Sequence, residues 1–104
     1  MRVAEPGELF GIRPAALDSI RDLARRHGVR RVVLYGSRAR QEHGEKSDID
    51  LALVGGDQAR FYLDVEEEAP TLLFFDVVDL DKVRVAPLGV EIERDGVVLY
   101  EEVR

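Results

Sequence analysis

One 21-residue stretch, LYGSRARQEHGEKSDIDLALV, limits what this chain can fold into more than any other part of it. Its pattern predicts a strand over Arg31–Tyr35, a tight turn at Gly36 and Ser37 that opens one turn of helix, and a polar loop over residues 41–47. Gly36 has no side chain to block a close approach, and backbone N–H groups of a turn that enters a helix bind anions. Ser37 adds a hydroxyl that can cap the helix or donate to a phosphate oxygen. The first half of the stretch therefore predicts a phosphate-binding turn.

The second half predicts another strand, which carries Asp48 and Asp50. Side chains alternate across a strand, so these two carboxylates point the same way, while Ile49, Leu51 and Leu53 can face a core. Paired carboxylates resist joint ionisation unless a cation lies between them, and Mg²⁺ is the natural candidate because it shares its shell with substrate phosphates. A competing interpretation is that the charges discourage strand pairing between molecules. The nearby phosphate-binding turn favours a phosphoryl- or nucleotidyl-transfer site instead.

Gly36-Ser37, a spacer of about ten residues and Asp48-Ile49-Asp50-Leu51 together resemble the signature of the DNA polymerase beta-like nucleotidyltransferase superfamily. The fuller stretch is similar to that of the minimal nucleotidyltransferases, the MNT or MntA-type proteins, and the similarity continues through residues 72–80 and 88–100. The resemblance implies an α/β (α+β) fold with a palm-like mixed β-sheet and helices packed mainly on one face. We expect a single domain over residues 1–104.

Residues 72–80, LLFFDVVDL, form the most apolar stretch and predict a central strand. Asp76 lies in the middle of this stretch, where a carboxylate is costly unless it is paired or metal-bound. Asp79 is three residues further on, so it faces the opposite side of a strand. The segment resembles the family's third-carboxylate strand, with Asp76 in the catalytic position.

The resemblance implies transfer of AMP from ATP to a hydroxyl acceptor. In this interpretation Asp48, Asp50 and Asp76 are the catalytic and metal-binding residues; together they hold two Mg²⁺ ions, and Asp76 is a candidate base. Gly36 and Ser37 would hold the β- and γ-phosphates.

Two arginines follow the turn, and their role stays open. Arg38 and Arg40 lie at the mouth of the inferred site, where they could contact phosphate or an incoming acceptor. Equally, they could be the solvated face of a short helix.

The acceptor is not specified by the residues themselves. MNT-like proteins resemble the antitoxin half of two-protein systems whose partner is a helical HEPT-type protein, which favours AMP transfer to that partner by an antitoxin. One alternative is the catalytic subunit of a small-molecule, antibiotic-type nucleotidyltransferase. Another is a non-enzymatic antitoxin that acts by binding alone. Whether the chain forms a homo-oligomer is left open.

Composition narrows the partners and the compartment. The net charge of −6 argues against a nucleic-acid substrate, because non-specific nucleic-acid binders usually present a basic face. The chain has no cysteine, which excludes disulfides and thiolate chemistry. No stretch approaches the roughly 18 apolar residues that cross a membrane, and no signal peptide is evident, so we expect a cytoplasmic protein.

The rest of the chain predicts helices that support the sheet. Apolar spacing predicts a helix that starts near Pro14 and ends at Gly28, and a second helix over residues 57–69. A final helical segment over residues 88–94 and a closing strand over residues 97–100 complete the expected fold.

Overall fold

The computed structural model describes residues 1–103, and five strands within that range form one mixed sheet. In chain order the strands are β1 (Arg2–Val3), β2 (Arg31–Tyr35), β3 (Ile49–Val54), β4 (Phe75–Asp79) and β5 (Val97–Glu101). Their order across the sheet is β1-β5-β2-β3-β4. Strand β2 is antiparallel to both β3 and β5, whereas β1 is parallel to β5 and β4 is parallel to β3.

Five helices connect these strands in the described part of the chain. They are α1 (Pro14–Arg26), α2 (Gly36–Ala39), α3 (Gln58–Glu68), α4 (Leu80–Val83) and α5 (Pro87–Asp95). The longest, α1, has 13 residues, and none of the helices within residues 1–103 could cross a membrane.

The sheet separates two apolar layers. On one face, Leu17 and Ile20 of α1 and Phe61 of α3 pack against Ile49 and Leu51 of β3, and all five side chains are at most 2% exposed. On the other face, the shorter α4 and α5 contribute Leu80 and Ile92, which pack against Val33, Ala52 and Val98. The predicted mixed α/β fold is confirmed, and the two longest helices lie together on one face.

The predicted signals for α1 and α3 match their observed ends. Pro14 is the first residue of α1, and Gly28 beyond its end has a φ of +69°, a conformation that glycine adopts at little cost. The Asp57 carboxylate caps α3 by accepting a hydrogen bond from the backbone N–H of Arg60 at 3.1 Å. His27 Nε2 lies 2.7 Å from Asp64 Oδ2, which links the end of α1 to α3.

The prediction of a central strand over residues 72–80 was wrong in two respects. The strand is shorter, Phe75–Asp79, and it lies at the edge of the sheet, paired on one side only with β3. Leu72 and Phe74, which precede it, are 98% and 72% exposed. An unbroken apolar run is typical of a strand covered on both faces, but strand order depends on distant pairings that the run itself does not encode. The short β1 was not predicted.

Candidate active site

The turn after β2 brings Gly36 against Asp50. Gly36 has a φ of +74°, in the left-handed region that favours glycine, and it is the first residue of α2. A Cβ atom at this position would overlap the Asp50 Oδ2 oxygen. Gly36 therefore allows both the turn and the close approach of the carboxylate, and Ser37 follows it partly exposed on the same turn.

Asp50 and Asp76 lie side by side on neighbouring strands. The parallel pairing of β3 with β4 places Asp50 opposite Asp76, and paired residues in a sheet project from the same face. Asp50 is half-buried, and Asp76 is exposed at the sheet edge. Two strands thus bring together two carboxylates that are 26 positions apart in the sequence.

Asp48 and Asp79 take different places. Asp48 is exposed and lies one residue before the first residue of β3, so it precedes the strand that was predicted to carry it. Asp79 ends β4, where its carboxylate accepts a hydrogen bond from the backbone N–H of Asp81 at 3.1 Å and caps α4. Asp79 therefore has a structural role at the opposite end of β4 from the Asp50–Asp76 pair.

Burial and like charge both act on Asp50. Burial, and after it the charges of Asp76 and Asp48, raise the pKa of the Asp50 carboxyl to about 6, against the opposing charges of Arg38 and Arg40. A negative charge on Asp50 is therefore poorly compensated by the protein itself. A cation at this position would favour the ionised form of the carboxylate.

Tyr35 is a member of this site that the sequence analysis missed. It ends β2, is 6% exposed, and pairs with Asp50 across the antiparallel β2–β3 ladder. Burial raises the pKa of its hydroxyl, and the charges of Asp76, Asp50 and Glu91 act in the same direction. The sequence did offer a signal for this role of Tyr35. The residue directly before Gly36 ends β2, so it must lie beside the carboxylates that follow the turn.

Arg38 does not lie on a solvated helix face, so that alternative is wrong. Its side chain is 1% exposed, and each hydrogen bond that its guanidinium donates within residues 1–103 goes to a backbone carbonyl. Nη1 contacts the oxygens of Phe10 and Gly11 at 3.0 and 3.2 Å, and Nη2 contacts those of Ser47 and Glu45 at 2.7 and 3.4 Å. Nε also donates to Ser47, at 3.1 Å.

These bonds also argue against the predicted contact between Arg38 and a phosphate. All three guanidinium nitrogens of this buried side chain already have acceptors, and burial lowers the pKa of Arg38 while Asp50 and Asp48 oppose the change. Arg38 joins α2 to the N-terminal segment and to the loop that ends at Asp48. It is therefore placed to hold the glycine turn and Asp48 in position rather than to contact a ligand.

Arg40 lies in a more accessible position than Arg38. Its side chain is 32% exposed and forms ion pairs of 3.2 Å with Glu42 and with Glu91 of α5. Ion pairs of this kind at a surface are weak and exchange readily with other anions. A phosphate contact by Arg40 is therefore compatible with its placement.

The donor set fits magnesium rather than a metal held by the protein alone. Within residues 1–103, no three histidine, cysteine or acidic side chains are grouped closely enough to enclose a metal ion by themselves. Mg²⁺ is commonly bound through one or two carboxylates together with substrate phosphates. Asp50 and Asp76 are paired across β3 and β4, and their carboxylates are of the kind that could serve as the protein's share of such a shell.

Solved structures share this architecture. A proposed minimal nucleotidyltransferase superimposes with a TM-score of 0.65 and 27% identity, covering 88% of this chain and 97% of its own. A toxin–antitoxin crystallised with AMP-PNP gives a TM-score of 0.61 at 21% identity, covering 83% of this chain and 73% of its own. A mutant of the MntA–HpeT toxin–antitoxin gives 0.57 at 22%, with the same two coverages. At these identities the last two show the fold alone.

Family membership follows from a match between the sequence and a protein-family model, not from a match to an individual curated protein. No curated protein shows a match to the chain. The family model described as "Polymerase beta, Nucleotidyltransferase" matches residues 18–104, which include both strands of the carboxylate pair and the turn at Gly36. The chain belongs to the polymerase beta nucleotidyltransferase family.

Proposed function

We propose that the chain transfers AMP from ATP to a hydroxyl group of a partner protein, as the antitoxin of a HEPT/MNT-type pair. The observation that carries the proposal is the in-register pair Asp50 and Asp76, which lies beside the glycine turn at Gly36. Family membership supports nucleotidyl transfer, and the fold shared with a toxin–antitoxin crystallised with AMP-PNP supports a nucleotide and a protein partner.

Each group has a defined task in this reaction. The turn at Gly36 and Ser37 binds the β- and γ-phosphates and holds the α-phosphorus above Asp50. The acceptor hydroxyl oxygen forms a bond to the α-phosphorus, and the bond from that phosphorus to the bridging oxygen breaks. Pyrophosphate leaves with the electron pair, and the hydroxyl proton passes to the exposed Asp76 carboxylate.

Magnesium completes the site as we propose it. Two ions held by Asp48, Asp50 and Asp76 would supply charge neutralisation of the triphosphate and a lower pKa for the attacking hydroxyl. The raised pKa of Asp50 supports this assignment, because a cation relieves the repulsion among the carboxylates.

Asp76 and Asp79 offer a matched pair for the test. Asp76→Asn should lower AMP transfer at least about 100-fold, because it removes a proton acceptor and a metal ligand. Asp79→Asn should retain near-normal transfer, since asparagine caps a helix as well as aspartate does. The measurement is intact mass of the partner, the product of the neighbouring gene, after incubation with ATP and Mg²⁺; each AMP adds about 329 Da.

Two results would contradict the proposal. Full transfer by Asp48→Asn or Asp50→Asn would remove the metal assignment. Tight binding of the partner without any mass change would indicate an antitoxin that acts by binding alone.

A further inference from the structure

The segment that leads into β4 presents two apolar side chains to solvent. Leu72 is 98% exposed and Phe74 is 72% exposed, whereas Leu73 between them packs against the core. The backbone at Phe74 is attached to β3, because the Ile49 N–H donates a 2.9 Å hydrogen bond to the Phe74 carbonyl. Large apolar side chains on an ordered surface indicate an interaction site more often than isolated exposed residues do.

Strand order places this surface on the acceptor's side of the proposed reaction. The turn that would retain pyrophosphate follows β2, the carboxylate Asp50 lies on β3, and Asp76 lies on the edge strand β4. In an in-line displacement the entering oxygen and the leaving group are on opposite sides of the phosphorus. An acceptor must therefore approach from the β4 side, where Leu72 and Phe74 are exposed.

The same edge is acidic. A groove between α3 and β4 is lined by Tyr62, Asp76 and Asp79 among others. The charge of Glu66, one turn along α3, raises the pKa of the Tyr62 hydroxyl, so this carboxylate lies beside Tyr62 and adds to the negative charge near the groove. Charge complementarity calls for a partner with basic residues around its contact surface.

We infer that the acceptor protein docks on the β4 edge, against Leu72 and Phe74 before the strand and Tyr62 in the groove beside it. The docking face of the acceptor would be an apolar patch surrounded by basic residues. This inference rests on the proposed function and deepens it by naming the surface that receives the acceptor. A few buried anchors, often aromatic, dominate the binding energy of many protein interfaces, a role that Phe74 and Tyr62 can fill.

The test separates docking from chemistry. The double variant Leu72→Ser/Phe74→Ser is titrated with the product of the neighbouring gene in a calorimeter without ATP, and Mg²⁺·ATP is titrated separately. We expect at least a tenfold weaker partner complex and an unchanged affinity for Mg²⁺·ATP. The control is Val85→Ser, which alters an equally exposed apolar residue, 98% exposed, in the segment between α4 and α5; it should change neither value.

Each remaining outcome has a defined meaning. Unchanged partner affinity in the double variant overturns the docking surface, and it does so whether or not AMP is transferred. Loss of self-association in the double variant, measured by sedimentation, assigns the surface to a second copy of this chain and also overturns the inference. Glu66→Lys should weaken partner binding, and binding should weaken as salt rises; if neither occurs, the basic character of the partner is refuted. If the double variant binds the partner more weakly as expected, but the wild-type protein transfers no AMP to the partner, the surface is supported and only the proposed reaction is rejected.

Discussion

Asp50 is a proposed functional residue whose carboxylate is both partly buried and repelled by neighbouring carboxylates. It is half-buried under the Gly36 turn and shares its face of the sheet with Asp76 and Tyr35. A carboxylate in such a place is unfavourable for folding unless its proton is retained or a cation approaches. Under the proposed function, bound Mg²⁺·ATP would reduce this destabilisation of the folded state.

This arrangement has a pH signature. The pKa of Asp50 is raised from 3.8 to about 6, so between these values the folded protein retains a proton that the unfolded chain has lost. The free energy of unfolding therefore falls as pH rises through that window. Asp50→Asn, which cannot ionise, should be more stable than wild type by about 1–2 kcal/mol at pH 7.5, after allowance for solvent screening. The advantage should shrink as pH falls from about 6 and should be absent below about pH 4, where the carboxyl keeps its proton in both states.

Urea unfolding in EDTA at several pH values measures this difference. Asp18→Asn is the control, because it removes an exposed carboxylate on α1 at a distance from the site. A variant at Asp50 that is less stable than wild type at pH 7.5 would show that the carboxylate has favourable partners in the folded state.

Prediction from sequence succeeded at residues whose role is set by residues next to them in the sequence. The alternation at Ile49, Asp50 and Leu51 predicts which side chains face the core, and the structure buries both apolar residues completely. It failed at Arg38 because nothing local distinguishes a surface arginine from a buried one. The carbonyl groups that accept its hydrogen bonds come from residues up to 28 positions away.

At the scale of elements, the Arg38 side chain links α2 to two other segments of the chain. Arg38 connects this four-residue helix to the carbonyl of Phe10 and to that of Ser47, which directly precedes Asp48. A helix this short has little stability of its own, so its position depends on such contacts. The geometry of the glycine turn and of Asp48 is therefore coupled to the N-terminal segment.

Arg38→Lys should be destabilising even though it preserves the charge. Lysine lacks the planar fork that reaches several carbonyls at once, so buried acceptors lose their donors, at a total cost of about 2–4 kcal/mol. Thermal or urea unfolding measures the loss, and Arg40→Lys provides the matched control, because surface substitutions usually stay within about 0.5 kcal/mol. Equal stability of the two variants would show that the hydrogen bonds of Arg38 contribute little.

The positions of helices along the chain were easier to predict than the order in which strands pair in the sheet. The helices α1, α3 and α5 carry clear start signals, including Pro14, Asp57 and Pro87, and each lies close to its predicted position. By contrast, β1 spans two exposed residues and pairs with β5 from the far end of the chain, so no local pattern marks it. The edge position of β4 was missed for the same reason, and that position exposes Asp76 and the apolar residues before it.

For the whole molecule, the negative net charge disfavours binding of a negatively charged nucleotide at the proposed site. The chain carries a net charge of −6, and its proposed site concentrates carboxylates while the buried arginine beside it is occupied by backbone carbonyls. An ATP molecule without a divalent cation would meet net repulsion here, whereas Mg²⁺·ATP brings compensating charge with it. Nucleotide binding should therefore depend strictly on the metal.

This dependence can be measured through stability. A ligand that binds only the folded state stabilises it by RT ln(1 + [L]/Kd), so Mg²⁺·ATP at ten times its Kd should add about 1.4 kcal/mol. For a domain of about this size, that gain corresponds to a rise in Tm of roughly 6–11 °C. ATP with EDTA should give almost no rise in Tm. Mg²⁺ alone should give a rise that is smaller than the one produced by Mg²⁺·ATP. An equal rise with ATP in EDTA would mean that the phosphates are held without the carboxylates, because only the metal can join the two groups.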